Sequence, residues 1–156
     1  MSDVANLFDV SLTTEDDDPS GYQASYARVG PLVGASALGL SVYELPPGQS
    51  ICPYHYEYPF EEWLIVLDGE ATLRHPGGET VLGPWDAASF PPGPEGAHKV
   101  TNNGDAVVRV AMLSGKSDIN IAVYPDSDKV GVWSGDGDVK HLFRRESAVD
   151  YFDGEL

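Results

Sequence analysis

The stretch HYEYPFEEWLIVLDG, residues 55–69, contains the alternation that decides the fold. Within it Leu64 and Val66 lie two residues apart, so on a strand both side chains point to the same face. The Asp68-Gly69 pair that follows is typical of a tight hairpin, because Gly adopts positive φ without steric cost. The stretch therefore predicts a strand over 62–67 with one buried face, closed by a short turn.

Similar short strands are predicted along most of the chain. Runs rich in Val, Leu, Ile and Tyr are separated by turn signals that contain many of the 17 Gly and 12 Pro residues. This pattern is typical of an all-β sandwich or barrel, and no long stretch has the helical period. The other predicted strands are 22–29, 35–45, 51–57, 71–75, 79–82, 87–90, 97–102, 106–113 and 119–124. Two further alternating sets are expected to line the barrel interior: Leu38, Leu40 and Val42, and Val108, Val110 and Met112.

Length and charge restrict the possible functions. A chain of 156 residues is long enough to bury one self-sufficient core. With 25 acidic and only 9 basic side chains its net charge is −16, so we expect no binding to nucleic acid or to an anionic membrane surface. The single cysteine, Cys52, cannot form an intramolecular disulfide and is interpreted as a small buried thiol without a basic partner. Because neither a signal peptide nor a membrane span is predicted, the expected compartment is the cytoplasm.

Composition divides the chain into three parts. Residues 1–20 contain an acidic run and are expected to form a solvated N-terminal arm. Residues 21–115 contain most of the predicted strands and are expected to form the barrel. Residues 116–156 are expected to form a C-terminal extension packed on the barrel, anchored by four aromatic side chains: Trp133, Phe143, Tyr151 and Phe152.

Four residues on three predicted strands could carry chemistry. His55 and Glu57 lie two residues apart and share a face, Glu62 shares its face with Leu64, and His98 lies on a later strand. If these faces are interior, imidazoles and carboxylates enter an apolar cavity, which is costly unless a metal ion compensates them. The alternative is that His55 and Glu57 face solvent and that Glu61 and Glu62 belong to an ordinary turn.

Two segments resemble the two motifs of the cupin superfamily. Gly48 to Gly69 is similar to G-x5-H-x-H-x3-4-E-x6-G, and Gly83 to Asn102 is similar to G-x5-P-x-G-x2-H-x3-N. The residues that fall on the first His, the Glu, the third His and the closing Asn are His55, Glu62, His98 and Asn102. The spacing before His55 and the loop before His98 are longer than the motifs allow, and Glu57 stands where the first motif has its second His.

The resemblance implies an all-β double-stranded β-helix, the cupin jelly-roll barrel, that binds a divalent Mn, Fe, Zn or Ni ion. The ligands it implies are His55, Glu57, Glu62 and His98. Having Glu57 in place of a His removes one positive charge from the site and shifts its preference toward harder ions. Two alternatives stay open: Glu57 is a base outside a two-His, one-carboxylate set, or it bonds Tyr54 or Tyr56 and no physiological metal is bound.

The same resemblance implies a metal-dependent small-molecule enzyme, isomerase-like or oxygenase-like, in which Glu57 or Glu61 moves a proton beside a metal-bound carbonyl. The alternative from another class is a non-catalytic module that binds a sugar or another metabolite. The ligand is expected to be small, because a small closed barrel holds one small molecule. A homodimer is also expected, with Trp63 and Ile65 on the outer face of their strand as candidate contacts.

Overall fold

The computed structural model describes residues 3–15 and 17–155, which form thirteen strands joined by turns and short 3₁₀ segments. The strands are β1 (Thr13–Thr14), β2 (Ser25–Arg28), β3 (Leu38–Leu45), β4 (Tyr56–Tyr58), β5 (Glu62–Asp68), β6 (Ala71–His75), β7 (Gly78–Leu82), β8 (Ala87–Phe90), β9 (Lys99–Thr101), β10 (Val108–Gly115), β11 (Ile119–Tyr124), β12 (Lys129–Ser134) and β13 (Lys140–Arg144). The 3₁₀ segments are Gly30–Val33, Pro94–Gly96, Pro125–Ser127 and Arg145–Ser147. Among the described residues, no helix is long and apolar enough to cross a membrane.

The strands form three antiparallel sheets. Six strands form one sheet in the order β1-β2-β3-β10-β5-β8, and three form another in the order β7-β6-β9. The third sheet has the order β13-β12-β11-β4 and contains the strands that follow the barrel. Strands far apart in the chain lie side by side, since β10 pairs with both β3 and β5. This confirms the predicted all-β fold, a double-stranded β-helix.

The barrel core lies between the six-stranded and the three-stranded sheets. Leu64, Val66 and Val110 have no exposed surface, and they pack with Leu73 and Val100 from the opposite sheet. Burying a side chain of this size contributes about 1.5–3 kcal/mol. The interior faces predicted for β5 and β10 are therefore confirmed.

Strand β3 has the opposite phase to the predicted one. Val42 is fully buried, but it packs on the outer face of the six-stranded sheet with Val29, Leu67 and Ala111. Leu40 packs against the same outer cluster, and Leu38 is 58% exposed. The prediction that these three residues line the interior is wrong because both faces of the sheet are covered, so apolarity alone does not identify the inner one.

The N-terminal arm covers this outer face. Within residues 3–15, four apolar side chains pack against the outer cluster: Ala5, Leu7, Val10 and Leu12. This part of the arm is therefore not wholly solvated, contrary to the expectation from its composition. Residues 1, 2 and 16 of the predicted arm lie outside the described residues.

The C-terminal extension continues the sheet structure. Strand β11 pairs with β12 on one side and with β4 on the other. Of the predicted aromatic anchors Trp133 is half-buried, whereas Phe143, Tyr151 and Phe152 are 49%, 87% and 61% exposed, so these three do not anchor the extension. Main-chain pairing of β11 with β4 attaches it instead, which requires no particular side chain.

Candidate metal centre

Two histidines from distant parts of the chain are held side by side by the backbone. The His55 N–H donates to the carbonyl of His98 at 3.1 Å, and the His98 N–H donates to the carbonyl of His55 at 2.8 Å. Residues paired directly across an antiparallel bridge present their side chains to the same face. The two imidazole rings accordingly lie 4.8 Å apart between centroids.

The hydrogen bonds of the two rings leave one nitrogen of each free for a ligand. Nδ1 of His55 lies 3.0 Å from the carbonyl of Pro53, and Nδ1 of His98 lies 2.9 Å from the carbonyl of Gly96. A carbonyl only accepts, so each Nδ1 carries a proton, and in the neutral form of each ring Nε2 presents a lone pair to a ligand. Metal-binding histidines are typically oriented by such a bond at the second nitrogen. Among the described residues, Nε2 of His98 is buried without a hydrogen-bond partner, and a bound cation would satisfy it.

Glu62 brings a carboxylate to the two histidines. It is the first residue of β5 and points inward with Leu64, as its position in the alternation predicts. Its Oε2 lies 3.7 Å from Nε2 of His98. One possible ligand atom from each of His55, Glu62 and His98 lies within 4.8 Å of the others. Two imidazoles and one carboxylate are a donor set suited to a divalent transition metal with open coordination positions.

Burial and neighbouring charges together shift the pKa values of the three cluster residues. Burial, helped by the neighbouring His55, lowers the pKa of His98 to about 4, so its ring is neutral at pH 7. Burial and then Glu57 raise the pKa of Glu62 to about 7. For His55, burial lowers the pKa, but Cys52, Glu57 and Glu62 outweigh it and raise the pKa to about 11. A divalent cation would therefore displace protons from Glu62 and His55 as it binds.

Glu57 lies beside the three-residue cluster. Its Oε1 is 3.6 Å from Nε2 of His55, and its Oε2 accepts a hydrogen bond of 3.0 Å from Nδ2 of Asn120. Burial raises the pKa of Glu57, but the contacts with His55 and Asn120 lower it by more, so the net shift of the pKa is downward. Glu57 is thus an ionised carboxylate at the edge of the cluster, and its free oxygen faces His55.

Glu61 does not reach the site. Successive residues of a strand face opposite sides, and Glu61 is exposed while Glu62 points inward. The Glu61 carboxylate accepts a hydrogen bond from Nε1 of Trp63 on the outside of the sheet. The structure therefore brings together His55, Glu62 and His98, with Glu57 adjacent, and places Glu61 elsewhere.

The outer face of β5 bears on the predicted homodimer contacts. Ile65 is half-buried and packs against the cluster under the N-terminal arm. Trp63 is 44% exposed. A homodimer through this face stays a prediction.

Asn102, which falls on the closing residue of the second motif, has a structural position. It has no exposed surface, and its Nδ2 donates to the carbonyls of Leu45 and Ala106, at 2.7 Å each. Its Oδ1 accepts from the Gly104 N–H at 2.9 Å. These bonds close the turn between β9 and β10 and do not involve the metal cluster.

The cluster opens into a cavity of about 290 Å³. Its lining residues include four that carry hydroxyl groups, Ser41, Tyr43, Ser114 and Tyr124, in addition to the histidines and the carboxylates. The interior side of β3 is lined by Gly39, Ser41 and Tyr43, which is why the phase predicted for this strand failed. A cavity with these walls suits a small molecule that carries several oxygen atoms.

Three further residues of the site were not predicted from the sequence. Cys52 lines the cavity with its Sγ 3.5 Å from Nδ1 of His55, so the expectation that it has no basic partner is wrong. The ring of Tyr124 stacks on that of His55, with centroids 5.8 Å apart. Asn120 and Tyr124 both come from β11 in the extension, and Asn120 is 63 residues from Glu57 in the chain. No short-range sequence pattern signals such a contact.

Comparison with known sequences gives a family match within the barrel. Residues 41–114 match the family described as Cupin domain. This segment contains His55, Glu57, Glu62 and His98, but it ends before β11 and its Asn120 and Tyr124. Among curated proteins, none matches the sequence significantly.

Solved structures share the fold. The chain is similar to a sugar phosphate isomerase of the cupin superfamily from Silicibacter pomeroyi, with a TM-score of 0.80, 24% identity, and coverage of 95% of this chain and 96% of that one. It is also similar to a structure from Acidithiobacillus ferrooxidans, with a TM-score of 0.76, 22% identity, and coverage of 83% and 81%. The polyketide cyclase RemF from Streptomyces resistomycificus has a TM-score of 0.60, 23% identity, and coverage of 74% and 80%. At these identities the likeness concerns the fold alone.

Proposed function

We propose, from the premise that this chain belongs to the cupin superfamily, that it is a metal-dependent enzyme acting on a small oxygen-rich molecule. The ligands in this proposal are His55, Glu62 and His98. The observation that carries it is the buried, unpartnered Nε2 of His98 close to the ring of His55 and to the inward carboxylate of Glu62. A buried polar atom left without a partner is costly. A single metal ion would provide a partner for all three side chains together.

Proton transfer within an isomerisation is the reaction that the site supports best. A bound divalent ion would polarise a carbonyl oxygen of the substrate and so acidify the C–H bond next to that carbonyl. Glu57 is ionised and has one oxygen free, so it can accept that proton and return it to the adjacent carbon. The hydroxyl proton passes from one substrate oxygen to the other in the same isomerisation, so both protons are only relocated and no external oxidant is needed. The S. pomeroyi relative, named a sugar phosphate isomerase, is compatible with this reaction class.

The cavity supports a substrate of limited size with hydroxyl, keto or carboxylate groups. Its volume of about 290 Å³ admits one small molecule. Burial raises the pKa of Tyr43, and burial with Cys52 and Glu57 raises the pKa of Tyr124 to about 12. Both phenols are therefore protonated at neutral pH and can donate hydrogen bonds to substrate oxygens.

A test should separate metal binding from proton transfer. The protein would be loaded with Mn(II), Fe(II), Zn(II) or Ni(II) and incubated in deuterated water with small hydroxyketones and their phosphates. We expect exchange of the hydrogen next to the carbonyl, measured by proton NMR. Glu57→Gln should abolish the exchange while keeping the metal, and Glu61→Gln is the matched control because Glu61 lies outside the cavity.

Other outcomes of this test distinguish the remaining functions. Consumption of dioxygen by the iron-loaded protein without hydrogen exchange would favour the oxygenase-like reaction. Tight binding of a metabolite with neither exchange nor oxygen consumption would favour the non-catalytic binding module. Failure to bind any of the four ions would contradict the proposal at its first step.

A further inference from the structure

Asn120 reaches the site from the C-terminal extension. Strand β11 pairs with β4 so that Ala122 lies opposite Glu57. Asn120 precedes Ala122 by two residues and therefore shares the face on which Glu57 lies, as a diagonal neighbour. Its Nδ2 donates to Oε2 of Glu57 at 3.0 Å. The extension thus contributes a side chain directly to a carboxylate of the cavity.

The other polar atom of Asn120 makes no comparable contact. Among the described residues, its Oδ1 is buried without a hydrogen-bond partner. Rotating the amide would turn Oδ1 toward an ionised carboxylate, where two acceptors would repel each other, so the observed orientation is set by Glu57. Asparagine is also depleted in strands compared with β-branched residues. The pairing of β11 does not require an asparagine at position 120. The bond to Glu57 is the interaction that makes use of its side-chain amide.

Glu57 is close enough to join the metal ligands if it were released. Its Oε1 is 3.6 Å from Nε2 of His55, one of the donor atoms of the cluster. With two neutral histidines and Glu62, a divalent ion keeps one positive charge, and a second carboxylate would neutralise it. A neutral site would polarise a substrate oxygen less, and one open coordination position would be lost.

We infer that Asn120 is a positioning residue that holds Glu57 beside the metal ligands and keeps it out of the ligand set. The bond from Nδ2 restrains one carboxylate oxygen and leaves the other free to exchange a proton with substrate. The extension is in this way a functional part of the site and not only a cover for the barrel. This inference rests on the proposed function, because it needs an ion at His55, Glu62 and His98.

The experiment compares metal binding and coordination in four variants. Asn120→Ala and Asn120→Leu both remove the donor, and the leucine has a similar shape in case the alanine variant does not fold. Glu57→Gln and the double variant Asn120→Ala with Glu57→Gln complete a mutant cycle. Ile119→Ala is the control, since Ile119 is exposed on the same strand. Mn(II) affinity would be measured by EPR, and the coordination of Co(II) by its visible spectrum.

We expect the Asn120 variants to bind Mn(II) more tightly by about tenfold or more, because a released Glu57 becomes an additional carboxylate ligand, and carboxylate oxygens suit Mn(II). Their Co(II) spectrum should shift to that of a site with higher coordination number. Both changes should disappear when Glu57→Gln is also present, and Ile119→Ala should show neither. A purely structural role for Asn120 would not depend on Glu57 in this way.

Two results would overturn the inference. One is an Asn120 variant with the affinity and the Co(II) spectrum of the wild type. The other is the same change of affinity and spectrum in the Glu57→Gln background. Both are distinct from failure of the proposed function, in which the wild-type protein itself would bind neither Mn(II) nor Co(II).

Discussion

Replacing His98 by alanine should have two effects that can be measured separately, on stability without metal and on stabilisation by metal. His98 is 1% exposed, and its ring stacks on Phe90 with centroids 3.7 Å apart. Removing a buried ring and leaving a cavity costs about 3 kcal/mol. Losing the bond to the Gly96 carbonyl adds about 1 kcal/mol, whereas removing the unpartnered Nε2 returns about 1–2 kcal/mol. We therefore expect the metal-free variant to lose about 2–3 kcal/mol of unfolding free energy.

The metal effect is read from the same assay. At a metal concentration one hundred times the dissociation constant, an ion bound only by the folded state adds about 2.7 kcal/mol to the unfolding free energy. Urea unfolding followed by the fluorescence of the three tryptophans, with and without Mn(II), should show this increment in the wild type. His98→Ala should show none, because one of three ligands is gone.

His141→Ala is the matched control. It removes another of the four histidines, and His141 is exposed on β13, away from the cavity. Its unfolding free energy and its metal increment should both equal those of the wild type. If His98→Ala keeps the metal increment, the assignment of His98 as a ligand is refuted, whatever the variant loses in stability without metal.

Three further predictions concern protons, the turn after β9 and the loop before His98. Mn(II) affinity should fall at least about tenfold for each pH unit below about pH 7. The reason is that Glu62, with a pKa of about 7, and the protonated His55 must both release a proton before the ion binds. An Mn(II) affinity, measured by EPR, that stays constant between about pH 5.5 and 8 would contradict this prediction. Asn102→Ala should lower the unfolding free energy by about 3 kcal/mol in urea titrations, since a buried residue loses three side-chain hydrogen bonds. A loss no larger than that of the exposed control Asn103→Ala would oppose this prediction. Gly96→Ala should reduce bound metal in elemental analysis, because a Cβ there would collide with the Pro91 carbonyl and move the loop that positions His98; unchanged metal content would mean that the loop adapts.

The fold could be predicted because its determinants are local. The alternation around Leu64 and Val66, and the turn residues between strands, act over a few residues and are visible in the sequence. The phase of β3 could not be predicted in the same way. Val42 and Leu40 are apolar because the N-terminal arm covers them, and nothing within the strand itself distinguishes an arm from a barrel interior.

The candidate site could be predicted in part for a similar reason. His55, Glu62 and His98 have residue types and spacings that indicate a shared cavity, and the structure places them there. Strand parity alone would have excluded Glu61, which faces the opposite side from Glu62. Asn120 was out of reach, because its contact with Glu57 arises from the pairing of β11 with β4, and strand pairing between distant segments leaves no local pattern.

The most direct measurement is elemental analysis by plasma mass spectrometry on protein purified without a histidine tag or a metal column. If His55, Glu62 and His98 form a metal site, wild-type protein should contain about one transition-metal ion per chain, and His98→Ala should contain far less. The metal found would also separate oxygen chemistry with iron from redox-neutral chemistry with manganese, zinc or nickel. Wild-type protein that stays free of metal even after incubation with these ions would contradict the existence of the site.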